Sequence, residues 1–280
     1  MMARETRWRE GKAPREVAGR AVEPGTWELD GGEFGLLTRS GIAMHYRRGE
    51  GVIVDLPDGV ATEEFELWFN GSLYAGVAAI NGLWPVHASV VVAGDLAFGL
   101  TGVSGAGKST LAASLCDLGL SMLCDDTSLL DMARNGPPIC LPGHKRLKLD
   151  DKALSATGAS AFGPVGGETG KSYARPAGET HREPVPLAGL VQLEWGDDPA
   201  INSLNHAQKL SVLAEDHYTR AMYRAAHPAQ PSEILAQYSN LAARLDGWRF
   251  TRPRDAGRLR ETSQILADFL RQVASVGHAR

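Results

Sequence analysis

Apolar residues in the first third of the chain come in short runs separated by glycine and charged turns. Such runs stand at 27–29, 34–37, 42–46 and 52–56, and Pro57-Asp58-Gly59 closes the series. This spacing predicts an antiparallel meander. The period then changes. Phe65, Trp68, Phe69, Leu73, Val77 and Ile80 recur at helical intervals, which predicts an amphipathic helix over 62–81. Trp84-Pro85 closes it, because a residue before proline is pushed out of the helical region. Two β-rich runs, 86–92 and 96–101, flank Gly94-Asp95 and predict a hairpin. Farther on, the pattern predicts a helix over 110–118, a strand over 120–124 that continues through 127–132, and two short extended pieces around Pro142-Gly143. It then predicts a buried strand over 186–195, two or three helices within 206–244, an edge strand at 248–251 stopped by Pro253, and an amphipathic helix over 259–276. Residues 1–20 are poor in apolar side chains and read as a flexible tail. Residues 155–182 contain six glycines and read as a long mobile loop.

The chain has 280 residues, 43% hydrophobic and 22% charged. That balance excludes wholesale disorder, collagen and coiled coil as the main architecture. The best apolar run, 90–100, is cut by Gly94 and Asp95, well short of the ~18–20 residues of a membrane helix. The N-terminus has no apolar core of a secretory signal. Cys116, Cys124 and Cys140 are odd in number and lack metal-ligand spacing, so they read as buried free thiols in a reducing compartment. A cytoplasmic protein with no membrane association is expected. Net charge is −4. The two ends are basic and the middle acidic, which reads as solvated faces; no chain-wide basic patch suggests nucleic acid.

One segment carries chemistry. Residues 102–109, Gly-Val-Ser-Gly-Ala-Gly-Lys-Ser, match the phosphate-loop pattern G-x-x-x-x-G-K-[ST], with a strand before and a helix after. Gly102, Ser104, Gly105, Ala106, Gly107, Lys108, Ser109 and Thr110 would hold nucleotide phosphates. The glycines let backbone N–H groups turn inward, and the new helix adds its dipole. Lys108 would reach the β- and γ-phosphates, and Ser109 would hold Mg²⁺. Asp125-Asp126 ends the next strand, where an open α/β sheet places ligand-binding residues. One carboxylate can hold Mg²⁺ in the Walker B manner while the other accepts a proton from a hydroxyl. His87 begins the hairpin strand and reads either as a structural histidine or as a site residue. Lys145-Arg146-Leu147-Lys148 reads equally as a solvated face or as a cation source for a transferring phosphoryl group. Glu168 and Lys171 in the glycine-rich loop are lid candidates.

Val86-His87-Ala88-Ser89-Val90-Val91, the 102–111 segment and Leu123-Cys124-Asp125-Asp126 together resemble the HPr kinase/phosphorylase family. Weaker pieces at 142–149, 184–193 and 248–255 resemble its HPr-kinase-like branch associated with ribosomal-peptide and lasso-peptide clusters. The resemblance covers about residues 84–276. Its implied fold is α/β, a P-loop kinase core of HPr kinase/carboxykinase type with a small N-terminal, mostly β accessory region. The corresponding divisions are a tail at 1–20, an accessory or substrate region at 21–83 and the kinase-like domain at 84–280. The implied reaction is transfer of the ATP γ-phosphate to a serine hydroxyl of a peptide or protein, such as a lasso-peptide precursor. ATP and Mg²⁺ would be the cofactors. Asp125 would be the base and Asp126, with Ser109, the metal ligand, although these two aspartates can exchange roles. His87 would orient the carboxylate or acceptor, and Arg146, with Lys148 as second choice, would balance charge. Relatives in the family form hexamers, so a homo-oligomer is a further expectation. Two other classes stay open: a small-molecule hydroxyl kinase and a nucleotide switch or ATPase without an acceptor.

Overall fold

A computed structural model describes the chain except for residues 134–135, 167–168, 215–217 and 278–280. It is a mixed α/β protein with several sheets. Two compact units divide it. The smaller comprises Met1–Pro85, Val165–Thr169 and Asp216–Ala229, and the larger Val86–Pro164, Gly170–Glu215 and Gln230–Arg280.

In the smaller unit, Thr26–Asp30, Glu33–Leu37, Ala43–Arg47 and Gly51–Asp55 form the expected antiparallel meander. Alternate side chains reach a core that includes Phe34, Leu36, Met44, Tyr46 and Val54. The helical stretch is continuous but changes pitch: Thr62–Trp68, a π-helical Phe69–Leu73, then Tyr74–Ile80. Residues 1–20 are not a tail. Trp8–Glu10 adds a parallel strand to Gly51–Asp55, and Val17 is buried. Backbone pairing holds this segment, which is why its low apolar content misleads. Buried Glu5 accepts hydrogen bonds from the Tyr46 hydroxyl (2.7 Å) and the Gly49 amide (2.9 Å). A second difference concerns the expected 84–280 division. Helix Tyr218–Ala226 belongs to the smaller unit because Met222 is fully buried in its core, with Tyr218, Ala225 and Ala226 packed against it.

In the larger unit, Ser89–Ala93 and Leu96–Thr101 form the expected hairpin. Ser121–Cys124 pairs with the first of them. Leu96–Thr101, Val185–Trp195 and Asp246–Arg252 run parallel side by side. Asp246–Arg252 is not an edge, since Ala200–Ser203 pairs along its other side. Ser128–Asp131 does not prolong Ser121–Cys124. The chain turns at Asp125-Asp126, and Ser128–Asp131 pairs instead with Ile139–Leu141. Helix Lys108–Asp117 packs against helix Leu259–Gly277. The latter buries Leu259, Thr262, Ser263, Leu266, Ala267, Leu270 and Ala274, the three-and-four spacing of one helical face. The glycine-rich 155–182 stretch is largely ordered: helix Asp151–Ala156 runs into it, and Ser160–Pro164 and Ser172–Arg175 pair in a sheet with Leu147–Leu149. Among the described residues, no helix is long and apolar enough to cross a membrane.

Candidate functional site

The three parallel strands end on one side at Thr101, Trp195 and Arg252, with Thr101 level with Gln192 and Trp195 level with Arg252. The chain leaves Thr101 through a six-residue loop, 102–107, and enters helix Lys108–Asp117. Gly102, Gly105 and Gly107 have φ of 140°, 82° and 80°, a conformation that side chains with a Cβ seldom adopt. Val103, Ser104 and Gly105 are exposed, while Ala106 and Lys108 are buried. The Lys108 ammonium donates to the carbonyls of Gly102 (2.8 Å) and Val103 (3.4 Å). Its charge is therefore folded back against the loop, at the base of an open helix N-terminus.

Asp125 sits where the chain leaves Ser121–Cys124 and is 3% exposed. The Ser109 hydroxyl donates toward both of its carboxylate oxygens at 3.1 Å, and the Ser89 hydroxyl donates to Oδ1 at 2.5 Å. Burial pushes the Asp125 carboxyl up to about 6, against the opposing pull of the Ser89 hydrogen bond. Asp126 has φ of 70°. Successive side chains on a regular strand point to opposite faces, but this left-handed turn breaks that rule and gives the two carboxylates separate partners. The Lys148 ammonium binds Asp126 Oδ2 at 2.7 Å. Burial acts to lower the Lys148 pKa, and the Asp126 carboxylate outweighs it, so the net shift is upward. His87 Nδ1 lies 2.9 Å from the Asp126 carbonyl oxygen and 3.5 Å from its Oδ1. A carbonyl only accepts, so in the neutral ring Nδ1 carries the proton and Nε2 the lone pair. Burial lowers the His87 pKa, which favours that neutral ring.

The structure thus brings Lys108, Ser109, Asp125, Asp126 and His87 together, with two rearrangements. Ser109 meets Asp125 rather than Asp126. Arg146 stands over the Tyr173 ring at 5.9 Å, and it is Lys148 that reaches Asp126. Lys171 is exposed, and Glu168 lies outside the described residues.

Three side chains escaped the sequence reading. Ser89 is one. The others are Arg252 and Trp195, some ninety residues or more beyond the loop. Arg252 donates to the Ala106 carbonyl at 2.8 Å and stacks 4.1 Å from the Trp195 ring centroid. It is 4% exposed, and no partner for its Nε stands among the described residues. Desolvation pulls this guanidinium down to about 10. The only signal in the sequence was the cluster of arginines around Pro253.

Among the described residues, no group of three His, Cys, Asp or Glu could hold a metal ion. What the site offers is one hydroxyl and one carboxylate, Ser109 and Asp125. Hard oxygen donors in that small number suit a cation that keeps several waters and takes its other ligands from phosphate.

No family model matches the chain, and no curated protein matches it. Among solved structures, it is similar to the Hpr(Ser) kinase/phosphatase from Coxiella burnetii, at 12% identity and a TM-score of 0.37, covering 70% of this chain and 93% of that one.

Proposed function

We propose that the chain is an ATP- and Mg²⁺-dependent phosphotransferase that phosphorylates a serine hydroxyl of a peptide or protein. The observation that carries this reading is the contact between Ser109, at the start of the loop's helix, and the buried Asp125 carboxylate, with Asp126, Lys148 and His87 beside them. A glycine-rich loop opening a helix, a lysine, a serine–aspartate pair and a second carboxylate are the parts phosphoryl transfer needs. Its catalysis is mostly positioning and electrostatics.

The residue roles follow from their contacts. The amides of 102–107 and the N-terminus of helix Lys108–Asp117 bind phosphate oxygens. Lys108 exchanges its loop carbonyls for phosphate. Ser109 and Asp125 hold Mg²⁺, which supplies charge neutralisation to the phosphates when bound. Asp126 is the group that accepts the hydroxyl proton, which exchanges the two aspartates relative to the order first expected. Lys148 takes the charge-balancing place first assigned to Arg146, and His87 holds the Asp126 carbonyl and carboxylate in register. Peptide serines, including those of lasso-peptide precursors, are the acceptor class that the sequence resemblance favours.

The test is γ-phosphate transfer from ATP to serine peptides, read by mass spectrometry. Lys108→Ala should abolish transfer. Asp125→Asn should weaken Mg²⁺-dependent nucleotide binding, and Asp126→Asn should spare binding and lose transfer. Wild-type turnover in Lys108→Ala would refute the site, and exchanged aspartate phenotypes would refute the role assignment alone.

A further inference from the structure

Phe162 and Trp195 are the exposed large aromatics among the described residues of the larger unit, and only Trp195, 38% exposed, lies against the 102–107 loop. A Cβ built on Gly107 would stand 3.5 Å from Trp195 Cη2 and 3.7 Å from Cζ2. The six-membered ring of the indole therefore abuts the helix-side end of the loop. The Arg252 guanidinium, itself buried, covers the ring 4.1 Å from its centroid. The exposed surface of the indole must lie away from that cation. Arg254, exposed, stands 5.8 Å from the same centroid.

A single exposed tryptophan is ordinary. This one differs in how it is held. A buried cation fixes one side of the ring, and that cation is tied by hydrogen bond to the loop at Ala106. Its position at the carboxyl end of a strand parallel to the loop's own strand is where open α/β sheets bind the rest of a ligand. A pre-fixed aromatic surface loses little conformational entropy when a flat ring stacks on it.

We infer that the exposed side of Trp195 is the platform on which the base of a bound nucleotide stacks, purines being favoured because two fused rings cover more of the indole. This rests on the phosphotransferase reading, because phosphates held by the loop bring a base to that surface. The platform explains what the loop alone does not, namely how the site would separate a nucleotide from any other polyphosphate.

Calorimetry on the full chain tests it with two probes, Mg·ATP and Mg·tripolyphosphate, the second lacking a base. Trp195→Ala should weaken ATP binding about ten- to a hundredfold, the range of one lost base–aromatic stack. Tripolyphosphate binding should stay within about twofold, and Trp195→Phe should recover most of the ATP affinity. Equal losses for both probes would overturn the inference, since the indole would then only brace the loop. The wild-type comparison is independent of how the variants fold. ATP binding no tighter than tripolyphosphate would overturn the platform and leave the phosphate loop standing, whereas binding of neither probe would overturn the phosphotransferase reading along with it.

Discussion

Ser89→Ala removes one oxygen and isolates the bond that holds the Asp125 carboxylate. A hydrogen bond to a charged group contributes about 1.5–3 kcal/mol net. Ser89 and Asp125 are both buried, so water cannot easily replace the lost donor, which argues for the upper half of that range. Ser109 still donates toward both carboxylate oxygens at 3.1 Å, which argues for less. The expected loss is about 2 kcal/mol, or a Tm lower by about 4–8 °C for a domain of this size. The assay is urea denaturation at pH 8, above the Asp125 carboxyl at about 6, followed by the same measurement in an Asp125→Asn background. With a neutral acceptor the cost of Ser89→Ala should fall to about 1 kcal/mol or less. A loss below about 0.5 kcal/mol in the wild-type background, or the same loss in both backgrounds, would refute the claim that this bond is charge-assisted.

Four further outcomes are expected. Gly76→Ala should destabilise by about 1–3 kcal/mol in chemical denaturation: the new Cβ would meet the ring of fully buried Phe34 at 2.6 Å, and this overpacking outweighs the helix-propensity gain of about 1 kcal/mol. Burial lowers the pKa of His45, with Glu33 opposing; the unfolded state therefore takes up a proton first as pH falls below about 6.5, so stability should decline from there downward, and His45→Gln should flatten that limb. The Gly49 amide and the Tyr46 hydroxyl lower Glu5, so its contribution is present above about 4.5 and lost as pH falls below it, and Glu5→Gln should lower the melting temperature above that pH, with the gap to wild type closing toward the acid end. Gly107→Ala should cost about 2–3 kcal/mol and abolish tripolyphosphate binding, because φ is 80° and the Cβ would stand 2.8 Å from the Arg252 Nη2 that holds the loop.

The loop was legible because its chemistry is contiguous: Gly102, Gly105, Gly107, Lys108 and Ser109 need only a strand before and a helix after. His87 and the Asp125-Asp126 pair were legible as neighbours of that loop across one hairpin and one helix. Which aspartate meets Ser109 was not, because a single left-handed φ at Asp126 decides it. Trp195 and Arg252 reach the loop through the register of three parallel strands, Thr101 level with Gln192 and Trp195 level with Arg252, and long-range register leaves no local trace. Composition misled twice. Residues 1–20 are held by a parallel backbone ladder and a buried carboxylate rather than by apolar side chains. The glycines of 155–182 accompany short strands instead of one open loop.

The smaller unit is assembled from three separate stretches of chain, Met1–Pro85, Val165–Thr169 and Asp216–Ala229. On the ribosome its sheet can form early, since all five strands lie before residue 56. Its core stays open until Met222 emerges, when the greater part of the larger unit has already been synthesised. Domains that fold vectorially close in order of synthesis, but here the first to begin cannot finish until most of the second has been made. Meanwhile helix Tyr74–Ile80 and strand Thr26–Asp30, against which helix Tyr218–Ala226 packs, wait with part of their cover missing, which makes the nascent chain, rather than the finished protein, the form most in need of a chaperone.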